Sequence, residues 1–212
     1  DGVMYLSTAL NHVLALDAAT GAKRWEYAHK YRTTVDCCAA INRGVTVYGG
    51  RVFMGTVDGR LLALDARDGH VLWDVTVGDN MLGYHLTGTP TVVQGKVITG
   101  VSGGEQGCRC YVDAYDAATG KRVWRWYTIP SPEEGGWWGT WREHDEWGQS
   151  FARNVAQEKR DSAKYADSWQ HGGGPVWHHP AYDPASGLLF VNVGNPAPDE
   201  DGGVRPGDNL YS

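Results

Sequence analysis

Three stretches of the chain repeat one pattern, and each of them ends in a tryptophan. They end at Trp25, Trp73 and Trp124, which lie 48 and 51 residues apart, and a partial fourth copy, HPAYDPASGLLFVNVGN, ends at Asn195. Each copy contains a short alternating strand, a turn, a second strand ending in Ala-Leu-Asp or Ala-Tyr-Asp, a Thr-Gly or Asp-Gly turn, and then the tryptophan. Repeats of this length predict a series of similar units.

The repeat length favours a β-propeller, in which each repeat forms one four-stranded blade. In the second copy, Val52 and Met54 alternate with Phe53 and Gly55 along a short strand. The alternative is a β-sandwich with fortuitous internal similarity. Three or four blades do not close a ring, because open sheet faces would remain exposed. We therefore expect residues 1–212 to form a partial propeller, incomplete at both ends.

Composition agrees with an all-β protein and excludes several classes of partner. The chain has 29 glycines and 10 tryptophans, and its formal net charge is -6 with no basic run. That charge argues against a nucleic-acid surface or an anionic membrane as partner. No apolar run approaches 18 residues, no signal-peptide pattern is present, and the chain starts without methionine, which suggests a processed or truncated product.

The repeat is interrupted over about residues 131–171. The first part, PEEGGWWGTWREHDEWG, is aromatic and acidic, and the second part, QSFARNVAQEKRDSAKYADSW, has the composition of a polar helix. We interpret this stretch as a partly helical insertion that forms an ordered surface loop.

Five motifs give the chain a resemblance to a known family. They are CCAAINRG, LTGTP, SGGEQG, GGGPVW and GNPAPDEDGGVRPGDN. In type and order they resemble those of the quinoprotein alcohol dehydrogenases, eight-bladed propellers that bind pyrroloquinoline quinone (PQQ) and a metal ion. The resemblance covers nearly the whole chain outside the insertion. It implies about half of an eight-bladed propeller, from an enzyme that oxidises primary or secondary alcohols to aldehydes or ketones by hydride transfer to PQQ.

The neighbouring residues Cys37 and Cys38 are an unusual feature of the first motif. Adjacent Cα atoms lie about 3.8 Å apart, whereas disulfides usually need roughly 4.4 to 6.8 Å, so a bond between these neighbours would be strained. The resemblance implies that the pair forms such a disulfide ring against one face of the quinone. Two reduced thiols on opposite faces of a strand are the alternative.

Three further residues acquire a role in cofactor binding from the resemblance. It places Arg43 beside the reactive quinone carbonyl, and a guanidinium can hold a carboxylate or quinone oxygen in a bidentate manner. It brings the Thr87 hydroxyl to the cofactor and stacks Trp177 under the quinone, where a planar indole suits a flat ring system. From the residues alone, Arg43 is a surface arginine, Thr87 a turn residue and Trp177 a core residue.

The resemblance also predicts a metal site. Ser102, Gly103 and Gly104 are small residues that let the backbone approach the cofactor, and Glu105 follows them with a carboxylate that can bind a hard cation. Asn195, eighteen residues after the stacking tryptophan, offers an amide oxygen. The implied ion is Ca²⁺, and the sequence does not distinguish it from a lanthanide. A solvent-exposed glutamate is the alternative for Glu105.

Some positions depart from the family pattern. Pro175 stands where many relatives carry a threonine that bonds the cofactor, and proline has no N–H to donate. Cys108 and Cys110 replace small or aliphatic residues and form either a second disulfide or two buried thiols. His178 and His179 follow the stacking tryptophan, and we expect them to serve packing and turn hydrogen bonds rather than metal binding.

The resemblance also implies parts that the 212 residues do not contain. The catalytic aspartate and the rest of the propeller would lie after Ser212, and no haem-attachment motif is present, so electrons would pass to a soluble cytochrome c or another acceptor. A persistent disulfide predicts a periplasmic location. Two alternatives are a non-catalytic propeller scaffold and one piece of a split propeller that needs its complement.

Overall fold

The computed structural model describes residues 2–30 and 41–212, so the prediction of a Cys37–Cys38 disulfide lies outside the described residues. The strands in the described part are β1 (Val3–Thr8), β2 (His12–Asp17), β3 (Lys23–Ala28), β4 (Thr46–Tyr48), β5 (Arg51–Gly55), β6 (Arg60–Asp65), β7 (Val71–Thr76), β8 (Thr91–Val93), β9 (Lys96–Gly100), β10 (Tyr111–Asp116), β11 (Arg122–Tyr127), β12 (Ala181–Asp183) and β13 (Leu188–Phe190).

These strands form four antiparallel sheets in which neighbours in sequence are neighbours in space. β1 to β3 form a three-stranded sheet, β4 to β7 and β8 to β11 form two four-stranded sheets, and β12 pairs with β13. Short turns join most consecutive strands within a sheet, and a longer connection, 101–110, joins β9 to β10. This is the topology that a repeated strand–turn–strand sequence favours. The all-β prediction is confirmed. The number of blades in a complete ring stays a prediction.

In each of the first three sheets, an aspartate organises the turn that precedes the last strand, which is β3, β7 or β11. Oδ1 of Asp17 accepts from the backbone N–H groups of Ala19 and Thr20, at 3.1 and 3.0 Å. Asp65 and Asp116 make the same kind of contact in the next two sheets. Because a carboxylate satisfies backbone donors that the turn leaves free, the sequence Asp-x-x-x-Gly specifies this hairpin locally.

The repeated tryptophans join each sheet to the next. The indole Nε1 of Trp25 donates to the Ala66 carbonyl at 3.1 Å, and that of Trp73 donates to the Ala117 carbonyl at 3.2 Å. Each ring packs on the glycine of the neighbouring turn, and a Cβ on Gly120 would lie 2.8 Å from the Trp73 ring. Glycine is required there both for this approach and for its positive φ of 71°.

The inner strands of the second sheet, β5 and β6, are buried on both faces. Val52, Phe53 and Met54 of β5 all have zero exposed fraction, and Leu61 to Leu64 of β6 are equally buried. Both sets of alternating side chains on β5 are therefore buried. The reason is that sheets stacked face to face cover each other, so a strand inside the stack becomes a continuous apolar run.

The stretch between β11 and β12 contains α1 (Val155–Asp161), the one α-helix of the described residues, and several 3-10 turns. Asn154 caps α1 by accepting from the Gln157 N–H at 2.9 Å. Asp208 ties this stretch to the end of the chain, because it accepts hydrogen bonds from Arg142 and Arg153. No helix in the described ranges is long and apolar enough to cross a bilayer. The insertion boundaries stay a prediction.

Candidate active site

The predicted site residues that the structure describes lie on connections that share one end of the sheets. Strands alternate in direction along each meander, so every second connection emerges at the same edge. The loops before β4, β8 and β12 carry Arg43, Thr87 and Trp177. The loops after β9 and β13 carry Glu105 and Asn195. The topology therefore gathers residues that are distant in sequence.

Arg43, Thr87 and Trp177 meet at this end. The Arg43 N–H donates to the Thr87 carbonyl at 3.1 Å, and its guanidinium Nη1 reaches the same oxygen at 3.3 Å. The guanidinium carbon lies 5.0 Å from the centre of the Trp177 ring, within the range of a cation–π contact. The structure thus places a cation over an indole face, with the Arg43 side chain exposed and Trp177 half-buried.

Ser102 and Gly103 form the buried support of this group. The Thr87 hydroxyl donates to Ser102 Oγ at 3.3 Å, and Ser102 Oγ donates to the His85 carbonyl at 3.1 Å. A Cβ on Gly103 would lie 1.7 Å from the Gly83 carbonyl oxygen. No side chain fits there, so the glycine that the motif supplies is dictated by the close approach of two backbone segments.

Glu105 lies at the rim of the site. It occupies a single 3-10 turn, Gly104–Gln106, and its side chain is exposed. The turn packs against the ring of Pro175, since a Cβ on Gly104 would lie 2.8 Å from Pro175 Cδ. Glu105 also lines a cavity of about 390 Å³ whose other walls include His171, Ala197 and Pro198.

The backbone around Asn195 is clamped to the loop that carries Pro175. The Gly194 N–H donates to the Pro175 carbonyl at 2.8 Å, and the Gly174 N–H donates to the Asn195 carbonyl at 3.1 Å. Pro175, which departs from the family pattern, therefore contributes packing and an acceptor rather than a donor. Because Pro175 contacts both Gly104 and Gly194, it connects the Glu105 loop to the Asn195 loop.

Trp177 packs tightly on its inner edge. A Cβ on Gly194 would lie 2.9 Å from Trp177 Nε1, so only glycine fits between the indole and the chain. The His178 ring centre lies 3.9 Å from that of Trp177 at an interplanar angle of 36°. His178 thus makes a ring contact, in line with the expected packing role, and both His178 and His179 are exposed.

Sequence reasoning missed His85, which supports the loop after β9. Its ring is buried, and Nδ1 lies 2.8 Å from both the Val57 carbonyl oxygen and Asn80 Nδ2. The other nitrogen, Nε2, lies 3.4 Å from Oε1 of Gln106. His85 therefore links the Ser102 to Gln106 segment to the second sheet. A lone histidine in an apolar run carries no signal of such a partner.

The structure joins Cys108 and Cys110 by a disulfide, with their Cα atoms 5.2 Å apart. Of the two predicted alternatives, the structure has the disulfide. Arg109 lies between them and is stacked on two rings, 4.1 Å from the centre of Tyr127 and 4.6 Å from that of Trp169. The pair thus stands at the point where β10 meets the stretch between β11 and β12.

Asp199 is a second residue that the motif analysis did not single out. Asn195 Nδ2 donates to its Oδ1 at 2.8 Å. Arg205 holds the same turn by donating from Nε to the Pro198 carbonyl at 3.0 Å. Burial lowers the pKa of Arg205, and the charges of Asp199 and Asp201 oppose this shift.

The donor chemistry at this end fits the implied groups. Glu105 and Asn195 supply carboxylate and amide oxygens, the hard ligands that Ca²⁺ prefers, and they stand on two loops that Pro175 joins. Arg43 supplies a cation for an anionic ligand and Trp177 a flat apolar face. Nothing in the described part of this site requires a different ligand class.

Comparison with known proteins places the chain in a family. All of residues 1–212 match the PQQ family model for the glucose/ethanol/alcohol dehydrogenase β-propeller domain. The quinohemoprotein alcohol dehydrogenase ADH IIB of Pseudomonas putida is 42% identical over 220 aligned residues, which cover 100% of this chain and 29% of that protein.

Two solved structures are similar in fold. The quinohemoprotein alcohol dehydrogenase of Comamonas testosteroni aligns with a TM-score of 0.78 and 34% identity, covering 100% of this chain and 31% of that one. A europium-containing methanol dehydrogenase aligns with a TM-score of 0.79 and 35% identity, covering 99% and 36%. The chain therefore spans about a third of the length of these relatives, and it belongs to the PQQ-dependent alcohol dehydrogenase family as a segment of its β-propeller domain.

Proposed function

We propose that the complete protein containing this chain is a PQQ- and metal-dependent alcohol dehydrogenase and that this chain supplies one part of its cofactor site. The observation that carries the proposal is the meeting of Arg43, Thr87 and Trp177, in which a guanidinium lies over an indole face. The family match over residues 1–212 supports the same assignment.

The described residues divide the work of holding the cofactor. PQQ is a flat tricarboxylate that, when bound, accepts two electrons from the alcohol. Trp177 provides the face on which a flat ring stacks, and Arg43 binds an anionic oxygen at its edge. Thr87, Ser102, Gly103 and Gly104 remain proposed as cofactor contacts. The two buried hydroxyls now donate to Ser102 Oγ and to the His85 carbonyl, so they would meet the cofactor as acceptors or after exchanging these bonds. Cys37 and Cys38 remain proposed for the opposite face.

Glu105 and Asn195 are the proposed metal ligands from this chain. A divalent cation prefers several oxygen ligands, so the cofactor and the rest of the protein would complete the set. Ca²⁺ is the proposed ion, and a lanthanide is the alternative. The europium-containing methanol dehydrogenase among the similar structures supports keeping that alternative.

The remaining parts of the proposal lie outside the 212 residues. A catalytic aspartate that removes the alcohol proton is expected after Ser212, together with the strands that close the ring. The substrate is a primary or secondary alcohol, the electron acceptor a soluble cytochrome c or another carrier, and the location the periplasm. The curated relative is named a quinohemoprotein, which supports a haem protein as acceptor.

Reconstitution of the complete protein tests this function. The protein is freed of cofactor and metal, PQQ and Ca²⁺ are added back, and alcohol-dependent reduction of a dye is measured. We expect activity only with both additions, and we expect Glu105→Gln to lose Ca²⁺ affinity by at least tenfold because a hard cation loses a charged ligand.

Glu133→Gln is the matched control, since Glu133 is also exposed in a 3-10 turn and lies outside the site. It should behave like the wild type. A complete protein that binds neither PQQ nor Ca²⁺ and oxidises no alcohol would contradict the proposal and favour the propeller scaffold.

A further inference from the structure

We propose that Asp199 is a positioning residue that turns the Asn195 amide so that its oxygen faces the metal site. This inference rests on the proposed function, because it gives Asn195 the role of a metal ligand. It adds a residue that acts through Asn195 and does not itself touch the ion.

The contact between the two side chains defines the orientation of the amide. Asn195 Nδ2 lies 2.8 Å from Asp199 Oδ1, and the same nitrogen lies 3.4 Å from the Pro196 carbonyl. A carboxylate and a carbonyl only accept hydrogen bonds, so the group that faces them must be the NH₂. The amide oxygen Oδ1 is therefore turned away from Asp199.

The backbone of Asn195 is already fixed by other contacts. The Gly174 N–H donates to the Asn195 carbonyl at 3.1 Å. Two residues further on, the Ala197 N–H donates to the Gly172 carbonyl at 2.9 Å. A Cβ on Gly173 would lie 3.0 Å from the Asn195 carbonyl oxygen, so the two segments are in close contact. Only the side-chain torsions of Asn195 remain to be set, and the Asp199 contact sets them.

Asp199 is itself held in place through its backbone. Arg205 donates from Nε to the Pro198 carbonyl at 3.0 Å and from Nη2 to the Asp199 carbonyl at 3.4 Å. Its Nη1 donates to Oδ1 of the buried Asn209 at 2.9 Å. The half-buried Arg205 thus anchors the turn, and the exposed Asp199 side chain reaches back to Asn195.

The orientation matters because the two ends of an amide differ completely toward a cation. The oxygen has lone pairs that a hard cation binds, whereas the NH₂ group has none to offer. Without Asp199, the amide can rotate by half a turn and present the NH₂ group. Groups that orient metal ligands typically change metal affinity by about 10- to 100-fold when removed.

Calorimetric titration of the complete protein with Ca²⁺, in the presence of PQQ, tests the inference. Asp199→Ala should weaken Ca²⁺ binding by about 10- to 100-fold. Glu200→Ala is the matched control, because it removes an exposed carboxylate of the same loop and should leave Ca²⁺ affinity near that of the wild type. Both variants should unfold at nearly the wild-type temperature.

A double-mutant cycle separates positioning from a merely structural role. In an Asn195→Asp background, both terminal atoms of the side chain at position 195 are oxygens, so no orienting partner is needed. Asp199→Ala should then cause no further loss of Ca²⁺ affinity. In the same background, Asp199→Asn should form a hydrogen bond in which the new amide at position 199 donates to the carboxylate at position 195.

Two results overturn the inference alone: Asp199→Ala matching Glu200→Ala in Ca²⁺ affinity, or the same fold-loss from Asp199→Ala in both backgrounds. A wild-type protein that binds neither PQQ nor Ca²⁺ overturns the proposed function and this inference with it. The two failures are therefore distinguishable from the wild-type titration.

Discussion

Two turns of the molecule have the same five residues, Asp-Ala-Ala-Thr-Gly, in different surroundings. In both Asp17–Gly21 and Asp116–Gly120, the aspartate accepts from the same two backbone N–H groups and from the threonine hydroxyl. Both glycines have positive φ, 74° and 71°. The local conformation is thus the same, and it follows from the five residues alone.

The packing of the two turns is different. Trp73 lies on the second turn, donates to the Ala117 carbonyl and contacts Gly120, and Ala117 is buried. Around Gly21 no described atom comes within 4 Å of a Cβ position, and Ala18 is exposed. The conformation of the turn is therefore encoded locally, whereas its burial depends on a tryptophan contributed by the preceding sheet.

Removal of the tryptophan should have the largest effect on this comparison. Trp73 packs against Phe53 with ring centres 5.7 Å apart and against the buried cluster between the second and third sheets. Trp73→Ala should therefore lower the free energy of unfolding by about 3 kcal/mol or more. Urea denaturation of the 212-residue chain measures it.

Trp124→Ala is the matched variant, because Trp124 holds the same place in the next repeat but is 37% exposed. It should cost about 1 kcal/mol in this chain. In the complete protein, strands that complete the β12–β13 sheet beside Trp124 should bring its cost up toward that of Trp73. Equal costs in the 212-residue chain would contradict the role assigned to the packing of Trp73 between neighbouring sheets.

Substitution of the turn glycines should have a smaller effect and sharpen the same contrast. Gly120→Ala forces a side chain into positive φ and into the Trp73 ring, for a cost of about 2 to 3 kcal/mol. Gly21→Ala carries only the backbone strain, about 1 kcal/mol. Thermal or urea unfolding of the two variants gives the difference, which is the contribution of the tryptophan contact. Identical losses would show that the ring does not confine Gly120.

The acid behaviour of the two turns should show the smallest difference, because in both turns the aspartate accepts from the threonine hydroxyl and the same two N–H groups. Hydrogen bonds from Arg24, then Thr20 and its N–H, lower the pKa of Asp17 to about 2, and contacts with Thr119 lower the pKa of Asp116. A carboxyl group whose pKa is depressed by folding stabilises the fold above its unfolded pKa of about 3.9 and loses that contribution as the pH falls through about 2.

Carboxyl NMR titration checks these values, and Arg24→Gln should raise the pKa of Asp17 because it removes the largest cause. The pKa of Asp116 should not change in that variant. An Asp17 pKa unaffected by Arg24→Gln would contradict the assigned cause.

The same division between local and long-range contacts explains how far the sequence predicts the fold. The strands and turns follow from patterns within a few residues, so the all-β architecture could be predicted. The burial of β5 on both faces could not, because it depends on neighbouring sheets. The residues next to Trp25 and Trp73 in sequence do not indicate that their indole N–H groups donate to the carbonyls of Ala66 and Ala117.

The site divides in the same way. The family motifs predicted the candidate site residues, and the structure brings three of them, Arg43, Thr87 and Trp177, together. The motifs did not reveal the support that His85 gives to the loop after β9, since His85 meets Gln106 across 21 residues. The Asn195–Asp199 contact is only four residues long, but its direction depends on an amide rotation that sequence does not encode.

The central claim is that this chain contributes one face of a PQQ and metal site. The most direct measurement is an experimental density map of the complete protein purified with its cofactor. We expect a flat tricyclic density on the Trp177 ring and an ion about 2.3 to 2.6 Å from oxygens of Glu105 and Asn195. A map with no flat density on the Trp177 ring and no ion density beside Glu105 would contradict this claim.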